Sequence, residues 1–464
     1  MKLKELFSAR DMSVGAPWKR ILEFAIPMLI GNIAQQLYNT ADSIIVGKYV
    51  GDNALSAVGS AMPILNLLLA LFVGISTGAG ILISQSFGAK DREGLTKNIG
   101  NCITLALIAT GVIMIIGPLI TMPMLRLLNT PESIIYWCAD YLKIYFYGII
   151  GFFMYNMLSG VLRGLGDSFS ALGFLLLAAA LNVGLDILFV AQFNMGVAGV
   201  SLATVISQAI SAVFCYLKLL SMRQHFDLNF RTLRLIPTTA KRILRLGIPS
   251  GLTQAIMASA SMVVQSLTNS MDTMVIACMV IIMRVDGFAM MPNLTFGQTM
   301  SVYTGQNVGA GKYDRVVKGS KQGTLLALGT SAVLTGCILL FGRTLFGLFT
   351  DTPELIELAY SMMNLMAIGY LAVSVSQVLG GVMRGAGDTM TPMWVSAIST
   401  IFLRVPTAYL IAYFTRSEQW PNGSPFALSS SLVVSWVLGM IIQIVAYKIG
   451  KWKKNIRINR EEIS

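Results

Sequence analysis

Ionisable residues are scarce in this sequence of 464 residues: only 12% are Asp, Glu, Lys or Arg, whereas 55% are hydrophobic. A soluble domain carries about 25% charged residues. The mean hydropathy of +0.69 points the same way. This balance excludes an ordinary soluble globule and indicates a polytopic membrane protein.

Histidine and cysteine are also rare. His225 is the single histidine, and the five cysteines lie one at a time in apolar segments, with no C-x-x-C pair. We therefore expect buried free thiols, and neither a metal site nor a cofactor built on Cys or His. No catalytic cluster or large extramembrane segment is present, so an enzyme or a receptor is not expected. The cysteines are Cys102, Cys138, Cys215, Cys278 and Cys337.

Apolar runs long enough to cross a bilayer, which takes about 20 residues, occur twelve times. Alternating strand patterns are absent, and helices satisfy their own backbone groups in lipid. The sequence therefore predicts an all-α polytopic membrane protein. The runs are 20–47, 53–87, 95–126, 132–162, 168–191, 195–221, 243–270, 274–308, 319–349, 354–383, 389–414 and 426–449.

The basic residues behind the formal charge of +12 are concentrated on one side of the predicted membrane spans. Both ends of the chain and alternate connections between the runs hold most Lys and Arg residues, which marks the cytoplasmic side. We therefore predict a multi-pass protein of the cytoplasmic membrane with both termini inside, and no nucleic-acid partner. We also expect no removable signal peptide. The opposite connections carry only Lys48, Arg126, Arg343 and Arg416.

The two halves of the chain repeat each other. Pro27 matches Pro249, the segment 84–100 matches 305–321, and 129–133 matches 351–355. The turns "LRGLGDS" (162–168) and "MRGAGDT" (383–389) form a fourth match. Four matches in the same order, each offset by 221 or 222 residues, indicate a duplicated unit of six spans.

Six spans are an even number, so both halves enter the membrane in the same sense. Such parallel repeats are related by an axis along the membrane normal and enclose a substrate cavity, which predicts a transporter with two six-helix bundles. We expect an N-terminal lobe at 1–221, a cytoplasmic linker at 222–242 and a C-terminal lobe at 243–464 with a basic tail.

The stretch "LNVGLDILFV" (181–190) places Asp186 in an otherwise apolar run. A carboxylate near the bilayer centre costs about 2.5 to 3.5 kcal/mol on insertion scales, and such residues usually mark a pathway or proton site. Asn182 is four residues earlier and therefore lies on the same helix face. This spacing predicts a polar, functional face in the fifth span.

The paired R-G-x-G-D turns, the segment "NTADSIIVGKYVG" (39–51) and "LNVGLDILFV" resemble the multidrug and toxic compound extrusion (MATE) family, in its bacterial branch similar to the DNA-damage-inducible type. The resemblance covers nearly the whole chain. It implies a secondary transporter that exports amphipathic, often cationic, organic compounds in exchange for H⁺ or Na⁺. The parallel repeats predict that the two halves rock in a rocker-switch cycle, and we expect a monomer.

The resemblance also implies a cation-coupling site in the N-terminal lobe, formed by Asp42, Asn182, Asp186 and Thr204. Two carboxylates close together repel, which raises the affinity of the pair for a proton or Na⁺, and their oxygen ligands suit either ion. Pro27 offers a hinge in the first span because it removes a backbone hydrogen bond. Further candidates to line a substrate cavity are Gln35, Tyr38, Asn39 and Asn156.

The second half departs from this pattern. The repeat places Val264 opposite Asp42 and Thr407 opposite Asp186, so the carboxylate site is not duplicated. The glutamate that another branch of the family carries in span seven falls near Met257.

Instead, this half contains the intramembrane charges Arg284, Asp286 and Arg404. They predict a self-neutralising network, since an unpaired buried charge is costly. The alternative makes Asp286 a second proton carrier or a contact for cationic substrates.

Two other transporter types remain open. "GAKDREG" (88–94) is one residue short of the loop motif of major facilitator transporters, which also have six plus six spans. A flippase for lipids or lipid-linked oligosaccharides, from the same superfamily as the MATE proteins, would differ by a more cationic cavity.

Overall fold

The computed structural model describes residues 8–128, 130–450 and 452–453, and within these ranges the chain is helical and contains no β-strand. The first repeat forms α1 Pro17–Tyr49, α2 Asp52–Gly88, α3 Arg92–Leu127, α4 Glu132–Tyr147, α5 Ile149–Gly164, α6 Ser168–Asp186 and α7 Gly196–Ser221. The second forms α8 Pro237–Asn269, α9 Thr273–Gly309, α10 Tyr313–Gly347, α11 Pro353–Gly385, α12 Met390–Ala397, α13 Val405–Phe414 and α14 Phe426–Ile449. The predicted all-α fold is confirmed.

Two of the spans contain a π-helical segment. Ile187–Gln192 continues α6 in this form, and Ile398–Arg404 joins α12 to α13 so that the three segments make one span. A π turn leaves part of the helix hydrogen-bonding ladder irregular and is frequent at functional sites. The first of these segments begins directly after Asp186, and the second ends at Arg404.

Among the described residues, nine helical spans are long and apolar enough to cross a membrane. The pair α4 and α5, bent by 54°, makes a tenth. Gly148 lies at this bend, and a β-carbon there would run into the side chain of Val205 in α7. With α1 and α8, the more polar helices that begin each repeat, the predicted twelve spans result.

The chain divides into two compact units, and the first helix of each repeat contributes to both. Unit 1 comprises Met1–Asp11 and Ile26–Ile248, and unit 2 comprises Met12–Ala25 and Pro249–Ser464. The changeover falls beside Pro27 in α1 and at Pro249 in α8, which are matched positions of the repeat.

Hydrogen bonds tie the start of the chain into unit 2. The backbone N–H of Met12 donates to Gln306 Oε1 at 2.8 Å, and that of Trp18 donates to Gln322 Oε1 at 2.9 Å. These bonds are consistent with the assignment of Met12–Ala25 to unit 2.

The start of α8 packs into unit 1 through glycine. A β-carbon at Gly78 of α2 would lie 2.5 Å from the backbone nitrogen of Gly247, so the two helices touch backbone to backbone. Small residues permit such close approach between membrane helices. This contact explains the Gly74 and Gly78 spacing in α2.

The connection between the repeats is also held on unit 1. Arg92 donates to Asp227 Oδ1 at 2.9 Å and to the carbonyl of Gln224 at 3.0 Å. The Arg92 guanidinium holds the pKa of Asp227 below its usual value. The backbone N–H of Ile236 donates to Asn101 Oδ1 at 2.7 Å, so this segment is anchored to α3.

The repeated R-G-x-G-D turns are helix starts. Asp167 accepts hydrogen bonds from the backbone and hydroxyl of Ser170 at 2.9 and 2.7 Å. Asp388 accepts the same pair from Thr391 at 3.0 and 2.7 Å. The preceding glycine has a φ of 84° or 88°, a conformation that side chains disfavour. The final glycine and aspartate of these motifs therefore serve folding.

All five cysteines are free thiols. Four are buried as expected, whereas Cys337 is exposed on α10. Most of the apolar stretch of α10 is not buried within the protein, and this thiol lies on its outer surface.

Candidate functional site

Unit 1 brings together the four residues predicted to couple to a cation. Asp42 comes from α1, Asn182 and Asp186 from α6, and Thr204 from α7. Asn182 and Asp186 have no exposed surface, and Thr204 is 8% exposed. Asp42 is half-buried, with its Oδ1 atom fully enclosed.

Thr204 organises the polar groups around it. Asn182 Nδ2 donates a hydrogen bond to Thr204 Oγ1 at 3.3 Å, and that hydroxyl donates to the carbonyl of Val200 at 3.1 Å. The hydroxyl of Tyr38 is hydrogen-bonded to the same side chain. One threonine thus links α1, α6 and α7.

The carboxyl groups of Asp42 and Asp186 lie within hydrogen-bonding reach of each other. No described residue donates a hydrogen bond to Asp42 Oδ1 or to either oxygen of Asp186. Asn182 Oδ1 is likewise buried without a donor. Among the residues that the structure describes, the site therefore gathers four enclosed oxygen acceptors and no cationic side chain to satisfy them.

A buried carboxylate without a partner is costly, and it is stabilised by a proton or by a bound cation. A proton shared by the two carboxyl groups would supply one missing hydrogen bond. The same oxygens are hard ligands of the kind that suits Na⁺. The residues present fit either ion.

The predicted cavity-lining residues have different surroundings. Tyr38 is half-buried in the site, and Gln35 is half-buried one turn earlier on α1. Asn156 lies on α5, where its Nδ2 donates to the carbonyl of Phe152 at 2.8 Å. The side chain of Asn39 lies outside the described residues.

Two tyrosines of α4 join the site without having been predicted. Tyr141 and Tyr145 are 3% and 5% exposed, and both interact electrostatically with Tyr38. Tyr141 also interacts with both Asp42 and Asp186. The only sequence signal was two tyrosines four residues apart in an apolar run.

Unit 2 contains a cavity of about 370 Å³ at the corresponding place in its own helices. Asp286 and Arg404 both line it, as does Arg384 of the second R-G-x-G-D turn. Tyr370 donates a hydrogen bond to Asp286 Oδ1 at 2.8 Å. Met257, near the glutamate position of the other branch, is part of the wall.

Arg284 does not join this cavity. Its side chain is exposed, and it forms no ion pair within the described ranges. Asp286 and Arg404 attract each other electrostatically but do not form a direct ion pair. Of the three charges predicted to form a network, the structure thus brings two into one cavity.

The fold is that of a duplicated α-helical membrane protein. The MatE family model matches this chain twice, at residues 27–188 and 249–410. The chain therefore belongs to the MatE family of multidrug and toxic compound extrusion transporters.

Named relatives match over nearly the whole chain. It is 28% identical to the probable multidrug resistance protein YoeA of Bacillus subtilis (strain 168), covering 94% of each chain. It is 24% identical to the probable multidrug resistance protein NorM of Thermotoga maritima, covering 96% of this chain and 95% of that one.

A solved structure supports the fold. The outward-facing conformation of a multidrug resistance MATE family transporter of the MOP superfamily superimposes with a TM-score of 0.89, at 23% identity, over 96% of this chain and 99% of that one. The major facilitator alternative is therefore set aside. In the segment that suggested it, Asp91 Oδ1 accepts the Gly94 N–H at 2.8 Å as a helix cap.

Proposed function

We propose that this transporter exports amphipathic organic compounds, including cationic ones, in exchange for H⁺ or Na⁺ bound at Asp42 and Asp186. Two relatives are named as probable multidrug resistance proteins, which supports the substrate class. The pair of adjacent, enclosed carboxyl groups without hydrogen-bond donors carries the proposal of cation coupling.

The mechanism follows from the cost of an unneutralised pair. When the site opens to water, a proton or Na⁺ enters and removes the repulsion between the carboxylates, so α1 packs closely against α6 and α7. When the cation leaves, repulsion and hydration of the carboxylates favour their separation. Binding would thus select between two arrangements of α1 in a rocker-switch cycle, with Pro27 as the bend point.

The test is gradient-driven transport of ethidium by the purified protein in lipid vesicles. A pH gradient and a Na⁺ gradient are imposed separately, which identifies the coupling ion. We expect one gradient to drive export, and Asp42→Asn and Asp186→Asn each to reduce the driven rate by at least about tenfold, because the neutral amide cannot exchange a cation.

Asp140→Asn is the matched control, since Asp140 is an exposed carboxyl of α4 outside the site. It should transport like the unmodified protein. Export that neither gradient drives, or normal driven transport by both site variants, would contradict the coupling proposal.

Orientation and assembly belong to the same proposal. We place the protein in the cytoplasmic membrane with both termini inside, as the distribution of Lys and Arg favours. We further propose that it acts as a monomer.

A further inference from the structure

The cavity of unit 2 has a charge balance opposite to that of the site in unit 1. Asp286, Arg384 and Arg404 are the ionisable residues that line its described wall, so two cations face one carboxylate. In unit 1, two carboxyl groups meet with no cationic side chain beside them in the described ranges. The proposed exchange of a small cation at Asp42 and Asp186 therefore does not involve the cavity of unit 2.

Asp286 is already satisfied by another partner. It accepts the Tyr370 hydroxyl at 2.8 Å, and its attraction to Arg404 acts without direct contact. A hydrogen bond from a neutral tyrosine stabilises the carboxylate without cancelling the charge of the arginine. Arg404 therefore retains a cationic charge available to a ligand.

Arg404 also retains unused donors. Its Nη1 donates to Ser261 Oγ at 3.2 Å, whereas its Nε is enclosed and has no acceptor within the described part of the chain. A guanidinium carries five N–H donors in a planar fork that suits carboxylate, sulfonate and phosphate oxygens. Arg384 lines the same cavity, and it too forms no ion pair with a described residue.

The rest of the wall suits an apolar body. Trp436 and five methionines line the cavity, and methionine adapts its flexible side chain to differently shaped ligands. The cavity volume of about 370 Å³ lies within the usual range for small-molecule sites. The methionines are Met257, Met279, Met283, Met290 and Met366.

We propose that this cavity binds an amphipathic organic anion, with its carboxylate, sulfonate or phosphate group on Arg404 and Arg384 and its apolar body against Trp436 and the methionines. The site lies within unit 2 and needs no cation exchange at Asp42 and Asp186. Its failure in a binding test would therefore leave the proposed coupling mechanism untouched.

The test compares two fluorescent probes of nearly the same shape. 1-Anilinonaphthalene-8-sulfonate carries a sulfonate, and N-phenyl-1-naphthylamine is its uncharged counterpart. Binding is measured to the full chain in nanodiscs of zwitterionic lipid, with empty nanodiscs subtracted. We expect Arg404→Gln and Arg384→Gln each to weaken binding of the sulfonate by about tenfold while the neutral probe changes by less than about twofold.

Three further variants separate charge from shape. Arg404→Lys should retain part of the sulfonate affinity, and Asp286→Asn should strengthen it, because the amide still accepts the Tyr370 hydroxyl but no longer repels an anion. Arg284→Gln removes an exposed cation of α9, the helix that carries Asp286, and should leave the binding of both probes unchanged. Each variant is first checked for an unchanged melting temperature and monodisperse elution.

Equal loss of both probes in Arg404→Gln and Arg384→Gln would overturn the proposal, since the arginines would then only shape the cavity. Unchanged sulfonate binding in both variants would overturn it as well. Repeating the titration with phosphatidylglycerol in the nanodisc identifies the source of the anion. Displacement of the sulfonate supports a lipid head group, and its persistence supports a soluble organic anion.

Discussion

At the scale of single residues, Thr204 is the side chain on which the order of the carboxyl site depends. Its hydroxyl is hydrogen-bonded to Tyr38 and accepts a hydrogen bond from Asn182. The residue is only 8% exposed. Removing the hydroxyl would leave enclosed donors on two other helices without partners. The site therefore depends on a neutral residue as well as on its two acids.

We predict that Thr204→Val, which is nearly the same size, lowers the stability of the protein by about 1 to 3 kcal/mol, the usual cost of leaving buried polar groups unpaired. Gradient-driven export should fall with it because Asn182 and Tyr38 lose their orientation. Thermal unfolding and ethidium export in vesicles measure the two effects. Thr204→Ser keeps the hydroxyl and should remain close to the unmodified protein; equal losses in both variants would show that the methyl group matters instead.

The residue scale also shows what sequence spacing can predict. Asn182 and Asp186 are one helical turn apart, so their shared face followed from the sequence alone. Their approach to Asp42 depends on how α1 and α6 pack, and it was expected only through the family resemblance. Tyr141 was missed because an aromatic residue in an apolar run is indistinguishable by pattern from a packing residue.

At the scale of helices, the prolines of α1 and α8 mark where each helix passes from one unit to the other. Pro27 follows the changeover after Ala25, and the changeover in α8 falls at Pro249 itself. Proline removes one hydrogen bond from the helix interior and clashes with the carbonyl four residues earlier. Both helices are therefore weakest where they leave one packing environment for another.

We predict that Pro27→Ala and Pro249→Ala each slow driven export several-fold while the melting temperature is unchanged or higher, because alanine restores the missing hydrogen bond and stiffens the helix. Pro123→Ala is the matched control: this proline is exposed and inside α3, away from either changeover. Export rates of the three variants in the same vesicles provide the comparison. If Pro123→Ala slows transport as much as the others, the effect belongs to helix stiffness in general.

The hydrophobic runs predicted the positions of the helices closely, but they did not predict where a helix is bent or changes to π-helix. The fourth run, 132–162, is two helices bent at Gly148, and glycine alone does not distinguish a bend from close packing. The π segments after Asp186 and before Val405 had no dependable sequence signal. Such irregularities arise from tertiary contacts, here between Gly148 and Val205, that a local pattern does not contain.

At the scale of the whole molecule, duplication preserved the framework and changed the chemistry. The family model matches the two halves with an offset of 222 residues, and the R-G-x-G-D turns cap helices identically in both. The functional groups differ: Asp42 and Asp186 have no acidic counterparts in the second half, where Arg384 and Arg404 line a cavity. The repeat therefore predicted the same fold for both halves, whereas the carboxyl site was predicted for the first half alone.

The distribution of Lys and Arg along the chain predicts on which side of the membrane each connection lies. Phe230, in the connection between the repeats, is 92% exposed, and this connection is rich in arginine. Gln419 is exposed in the connection before α14, which has Arg416 as its only cation. Since lysine and arginine concentrate on the cytoplasmic side, the two positions should lie on opposite faces of the membrane.

We predict that, in intact cells, a membrane-impermeant maleimide labels a Gln419→Cys variant and labels a Phe230→Cys variant only after permeabilisation. The background must lack the five natural thiols, of which Cys337 is exposed, and it must retain driven export. The reverse labelling pattern would place both termini outside. It would also reverse the direction in which a cation at Asp42 and Asp186 drives export, because an inverted protein couples the same gradient to uptake.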